Sequence, residues 1–201
     1  MTRSDSADRW REIAEAGHSG DAAAARTALA HDDPVTRELA LGALARCDEL
    51  ADDELAAALT DPDPGVRRRA VELAAMRPHL DLLPSLDDPD PVVVEHAAWA
   101  CGEHVVVDDA VLARLIGLAT GSDVALVREA AVAALGAIGD DRGVPAILAG
   151  CADQPAVRRR AVLALAPFDG PEVDDAIERA LADRDWQVRQ AAEDLVRAAR
   201  G

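Results

Sequence analysis

Apolar and polar positions along this chain follow a helical period, and the same pattern returns several times. In the stretch GSDVALVREAAVAALGAIG, Val127, Ala131, Ala134 and Leu135 fall on one helical face while Arg128 and Glu129 point elsewhere. Equivalent patterns open at Val35, Val66, Val93, Val157 and Val188, so successive anchors lie 31, 27, 34, 30 and 31 residues apart. Six units at a nearly constant spacing indicate a repeat architecture. Each anchor follows a polar segment in which Asp recurs, often beside Pro, as in DDPVTRELALGAL, DPDPGVRRRAVELAA and ADRDWQVRQAAEDLV. An Asp there can accept from the free backbone N–H groups at a helix start. Four places after the anchor stands a small residue (Ala70, Ala97, Ala131, Ala161 and Ala192), which lets a neighbouring helix come close. Unit one departs from this rule with Leu39.

Shorter apolar stretches between these helices predict a partner helix for each, over 22–30, 53–59, 79–86, 109–119, 143–151 and 173–181. The third carries Pro84 and is expected to be irregular or partly 3-10. A further helix over 7–16 is expected to pack Trp10 and Ile13 across the N-terminal end. A single helical pair cannot bury its own apolar face, so pairs stack and each touches its neighbours. The expected architecture is all-α: a right-handed superhelix of about six helical pairs plus an N-terminal capping helix. It is expected to form one domain over 1–201, with the cap at 1–19 and repeats at about 20–47, 50–77, 78–105, 107–139, 141–168 and 170–200.

Composition sharpens this picture. With 45 Ala, 3 Trp, 1 Phe and no Tyr, the core must be built from small side chains, which favours close helix packing. The charged set is 21 Arg, no Lys and 38 acids, 26 of them Asp, for a net charge of −17. A nucleic-acid partner needs cations to replace counterions, so this balance disfavours one, and it equally disfavours an anionic membrane surface. No apolar run approaches a membrane span and no secretory pattern opens the chain, which leads to the expectation of a cytoplasmic protein. Cys47, Cys101 and Cys151 are widely separated and read as buried, inert thiols. The lack of Lys leaves two readings open: the codon preference of a GC-rich genome, or a carboxylate surface adapted to high salt.

Units of the form VREAAVAALGAIGD resemble the HEAT-like repeats of the type found in phycobilisome lyases, and the resemblance covers residues 20–200. It implies that the second helix of each pair lines a concave side. It also implies that an Asp and an Arg of successive units form a ladder. The matching arginines are Arg67, Arg128, Arg158 and Arg189; Thr36 and Val94 stand at the same place in units one and three, where the ladder should lapse.

Candidate chemistry should sit where a unit departs from the pattern. Counting the anchor as place one, places three, four and seven should face the groove. They read Arg37, Glu38 and Leu41 in unit one, and Arg68, Arg69 and Glu72 in unit two. Unit three gives Glu95, His96 and Trp99, unit four Glu129, Ala130 and Ala133, and unit five Arg159, Arg160 and Leu163. Unit three is the outlier, because His96, Trp99 and Glu103 share a helical face with Glu95 and His104 beside them. A Trp outside the core can anchor a partner; alternatively Trp99 packs against the short, Pro-broken helix before it. The Arg triplets 67–69 and 158–160 could bind anions or be neutralised by neighbouring acids. If the groove selects a segment, the expectation is an acidic peptide held by Arg69, Arg159 and Arg160 with Trp99 as apolar contact.

Two enzymatic comparisons are weaker. Deoxyhypusine hydroxylase, also built of HEAT repeats, holds two irons through His-Glu pairs, but here the order is Glu95–His96 and no second unit offers such a pair. DRDWQVRQ around Trp186 is similar to the Trp-before-helix arrangement of HEAT-like alkylpurine DNA glycosylases, against which the charge argues; Trp186 otherwise reads as a C-terminal cap. The sequence therefore points to a non-catalytic scaffold or adaptor that binds a protein or peptide in its groove at Trp99, His96, Glu95, Glu103, Arg69, Arg159 and Arg160, with no cofactor and no metal. The alternative is an enzyme or enzyme accessory subunit, lyase-like or metal-dependent, using the His96/Trp99/Glu103 patch.

Overall fold

The computed structural model of the chain describes residues 3–104 and 106–198. Among the described residues there are twelve α-helices, two short 3-10 turns and no strand. The chain divides into two compact units, 1–80 and 81–201.

The first unit contains α1 (Arg3–Ser19), α2 (Ala22–Ala28), α3 (Pro34–Arg46), α4 (Asp52–Ala58) and α5 (Pro64–Ala74). Here α2 packs on α3, α4 on α5, α3 on α5, and α1 against both α2 and α3. Leu41, Leu44, Leu55, Val66 and Val71 are fully buried between them. In α1, Ile13 is buried as expected and Ala16 with it, while Trp10 is half-buried and its indole N–H donates to Asp33 at 3.0 Å. That carboxylate is also the N-cap of α3, accepting from the Thr36 N–H and hydroxyl. These donors, Thr36 first and Trp10 next, hold the Asp33 carboxyl below its ordinary range.

The second unit contains a 3-10 turn (Pro84–Asp87), then α6 (Pro91–Glu103), α7 (Asp109–Gly121), α8 (Ala125–Ile138), a 3-10 turn (Asp141–Gly143), α9 (Val144–Gly150), α10 (Pro155–Ala164), α11 (Pro171–Leu181) and α12 (Trp186–Ala198). The second helices form one layer in which α6 packs on α8, α8 on α10 and α10 on α12. The other layer supplies α7 to α8, α9 to α10 and α11 to α12. In unit three the expected partner helix is only the turn over Pro84–Asp87, which buries Ser85 and Leu86 beside α6. Pro84 opens that turn, and the run DDPDP behind Leu86 stops it after four residues.

Small residues set the spacing of the layer. A Cβ on Gly136 would stand 2.6–2.8 Å from Ala164 atoms, two of them backbone, so α8 and α10 meet there with no room for a side chain. A Cβ on Gly102 would lie 3.1 Å from the Ala134 Cα, a similar though looser approach of α6 to α8.

Paired aspartates organise the loops. The second of each pair caps the coming helix: Asp63 accepts from the Gly65 and Val66 N–H groups, Asp90 from Val92, and Asp185 from Gln187. The first of a pair, or the single Asp153 that precedes Gln154, receives an arginine from the preceding second helix. Arg37 forks onto Asp61, Arg128 onto Asp153 and Arg158 onto Asp183, each through two bonds of 2.6–2.8 Å. The same guanidinium also donates to a carbonyl of its own loop, as Arg128 does to Ser122 and Arg158 to Asp153. Each rung therefore ties a helix to both flanking loops.

This ladder corrects the alignment of unit one. Thr36, not Val35, is its anchor: Thr36 is fully buried whereas Val35 is 40 % exposed. The residue four places on is then Ala40, fully buried, so unit one follows the small-residue rule after all. Arg37 takes the ladder place, and the rung expected to lapse is present. Thr36 hides this from a hydrophobicity pattern because its hydroxyl is satisfied by Asp33 while its methyl packs in the core. In unit three, Val94 fills the arginine place and is buried.

Candidate functional site

The second helices of units three to five enclose a groove of about 300 Å³ on the second unit. From α6 it receives Glu95, Trp99 and Glu103, about one turn apart along a single stripe, with Gly102 beside the last. From α8 come Leu126, Glu129, Ala130, Ala133 and Ala137, and from α10 Arg160. A second depression continues past Ala133, Ala137 and Arg160 to Leu163 and Pro167. The floor is alanine because α8 must lie close to both neighbours. Trp99 rises beside that floor with 45 % of its surface exposed, and Leu126 is 44 % exposed opposite it. Trp99 therefore does not plug the space left by the shortened partner helix; Leu82 and Leu86 are buried there.

Polar groups stand round this apolar strip. The Glu95 carboxylate approaches His96 Nδ1 at 2.6 Å, and Glu129 lies 3.7 Å from Arg160 Nε. That Nε is buried and has no hydrogen-bond partner. Three carboxylates face one guanidinium in the lining.

Of the residues singled out from sequence, the structure brings Glu95, Trp99, Glu103 and Arg160 together. His96 lies beside the groove, outside its lining, with Nδ1 2.8 Å from the Val92 carbonyl. His104 is buried at the end of α6. Arg159 is half-buried and is not in the lining. Arg69 belongs to the first unit, where it bonds Glu72 at 2.9 Å and lies over Gly42 of α3. Glu95 and Glu129, at place three, turn toward the following second helix, whereas Ala130 and Arg160, at place four, turn toward the preceding one. Glu95 thus faces α8, and Arg160 meets Glu129. Spacing alone assigned both places to one wall, which is why His96 and Arg159 were placed in the groove. Leu126 was missed because it precedes the anchor, and Ala137 because it lies one turn beyond place seven. An apolar residue just before the anchor was the available signal for the former.

Other sequence expectations also resolve. Trp186 is the first residue of α12 and is 65 % exposed, so it does not cover the final apolar surface; Val188, Ala191 and Ala192 of α12 pack on Val162 and Ala180 instead. Cys101 is buried, whereas Cys47 and Cys151 are only partly so. Burial pushes the Cys101 thiol up to about 12, with the Asp81 charge adding to it, and the Cys151 thiol up to about 11. Among the described residues, no group of three or more His, Cys, Asp or Glu is gathered to hold a metal ion, and no helix is long and apolar enough to cross a membrane.

Residues 79–155 match the HEAT repeats family, and residues 157–183 match the PBS lyase HEAT-like repeat. No curated protein matches the chain. Among solved structures, the Escherichia coli protein YibA superposes with a TM-score of 0.63 at 20 % identity, covering 79 % of this chain and 62 % of its own. The chain thus spans less than two thirds of that protein's length. Two engineered proteins give TM-scores of 0.60 and 0.64 at 20 % and 22 % identity, covering 86 % and 88 % of this chain and 94 % and 97 % of theirs. At such identities the likeness is one of fold. Helical hairpins, family matches and solved structures agree: the chain is a HEAT-like repeat protein.

Proposed function

We propose that this protein is a non-catalytic scaffold whose groove over α6, α8 and α10 binds a short segment of a partner protein. One observation carries the reading: a half-exposed Trp99 stands beside an alanine floor in a groove of about 300 Å³. A large indole left in water beside an apolar strip loses transfer free energy that a partner's side chain restores. The polar groups present are suited to orienting a ligand rather than to transforming one. His96 is engaged by its own helix carbonyl and by Glu95, so it is not presented to a substrate in the groove.

The test is selection of a random peptide library displayed on phage against the immobilised protein. Peptides enriched on the wild type and lost on Trp99→Ala are expected, with affinity falling at least about tenfold. Enriched peptides that bind Trp99→Ala equally well would remove the groove from the reading.

A further inference from the structure

We infer that the segment received by this groove is cationic and apolar: an arginine stacked on Trp99 and flanked by small aliphatic residues. This rests on the groove being a binding site and adds the chemistry of its occupant. Charge complementarity selects it. The lining carries Glu95, Glu103 and Glu129 against Arg160, a net of −2, within a chain of net charge −17. The acidic peptide expected from the arginine triplets has no matching surface here. Arg160 is drawn toward Glu129, Arg159 lies outside the lining, and Arg69 is bonded to Glu72 in the first unit.

Geometry then favours arginine over lysine. Glu95 and Glu103 lie four residues before and after Trp99, about one helical turn on either side of the indole on the same stripe. A guanidinium laid on the ring gains a cation–π contact and can reach a carboxylate through its fork. An ammonium is a point charge, more strongly hydrated, and matches neither the ring face nor the fork as well. The residues either side of that arginine meet Leu126, Ala130 and Ala133, which have no polar side-chain atoms to satisfy. Small aliphatic side chains suit these residues, which offer apolar contact alone. The negative field of the whole chain speeds encounter with such a segment at low salt.

The experiment is fluorescence anisotropy with labelled short peptides that share an Ala/Leu frame and carry Arg, Lys, citrulline or Glu at the centre. The Arg peptide is expected to bind best, with the citrulline and Glu peptides weaker by about tenfold or more. Trp99→Ala should weaken the Arg peptide by about tenfold, and Glu103→Gln by roughly threefold. Generic attraction to an acidic protein would survive Trp99→Ala, so that variant separates the groove from the surface at large. A Glu peptide that binds as well as the Arg peptide, with both lost on Trp99→Ala, overturns the cationic occupant and leaves the groove reading intact. No binding by any of the peptides, or binding indifferent to Trp99→Ala, overturns both.

Discussion

The second helices of units one and two and those of units three to five occupy equivalent repeat positions, yet their faces behave in opposite ways. In the first unit the face is closed by its own charges. Arg68 bridges Glu38 at 2.9 Å and Glu72 at 2.6 Å, while Arg69 bonds Glu72 at 2.9 Å and lays its guanidinium over Gly42. In the second unit the corresponding places hold Glu95, Trp99, Ala130 and Ala133, and an apolar strip is left open. The backbone pattern is shared; three or four side chains per helix decide whether the face satisfies itself or awaits a partner. What the two regions have in common is the ladder of arginine and aspartate along the loops.

Breaking the shared element should have the largest effect. Arg158 is buried and forks onto Asp183, so Asp183→Ala leaves a guanidinium without its counter-charge. A loss of roughly 3 kcal/mol is expected from urea unfolding followed by circular dichroism. The same rungs predict an acid sensitivity. The Arg158 and Arg128 bonds hold the Asp183 and Asp153 carboxyls below their ordinary value in the folded state. A lowered folded-state pKa means the stabilisation is complete at neutral pH and is lost as the pH falls through the unfolded-state value near 4 and below. The urea midpoint should therefore be level from about pH 7 to 5 and drop below about pH 4; a midpoint that rises on acidification would contradict the ladder.

The next effect tests what keeps the open face flat. Gly136→Val places atoms where Ala164 already stands, forcing α8 and α10 apart. Overpacking of this kind costs about 2–3 kcal/mol, well above the few tenths gained from helix propensity. On the closed face a Cβ on Gly42, at another place in its helix, meets only the flexible ends of Arg69 at 3.1 Å and Arg46 at 3.4 Å, so Gly42→Val should cost about 1 kcal/mol or less. Equal costs at the two glycines would mean that the faces are held alike.

Smaller still is the worth of the self-paired charges. Glu72 accepts from both Arg68 and Arg69, whose side chains are about one third exposed, and Glu72→Gln should cost about 1 kcal/mol or less at low salt. That difference should shrink in molar salt, since screening weakens partly exposed pairs.

Much of this comparison is legible in the residues alone. The helical period, the Asp-Pro punctuation and the anchor spacing predicted every second helix, and Pro84 predicted the short 3-10 turn in unit three. Thr36 was misread because a buried threonine looks polar in a list of side chains, and the rung at Arg37 was missed with it. The open face was half legible. Trp99, Glu95, Glu103 and Arg160 were singled out by departure from the repeat, but the sidedness of places three and four depends on how successive helices lean, which a single helical period does not encode. His96 and Arg159 were misplaced for that reason.

The smallest predicted effect is the most telling. Trp99 is 45 % exposed beside the groove, so Trp99→Ala trims a side chain at the surface and not one sealed in the core. Its unfolding free energy should stay within about 1 kcal/mol of the wild type. Burying an indole in a core would instead make the same truncation cost about 3–5 kcal/mol. A variant that folds as well as its parent yet loses the peptide would show that Trp99 stabilises a complex and not the fold. If the truncation costs more than about 2 kcal/mol, Trp99 is a packing residue, and the open face closes on itself just as the first unit's does.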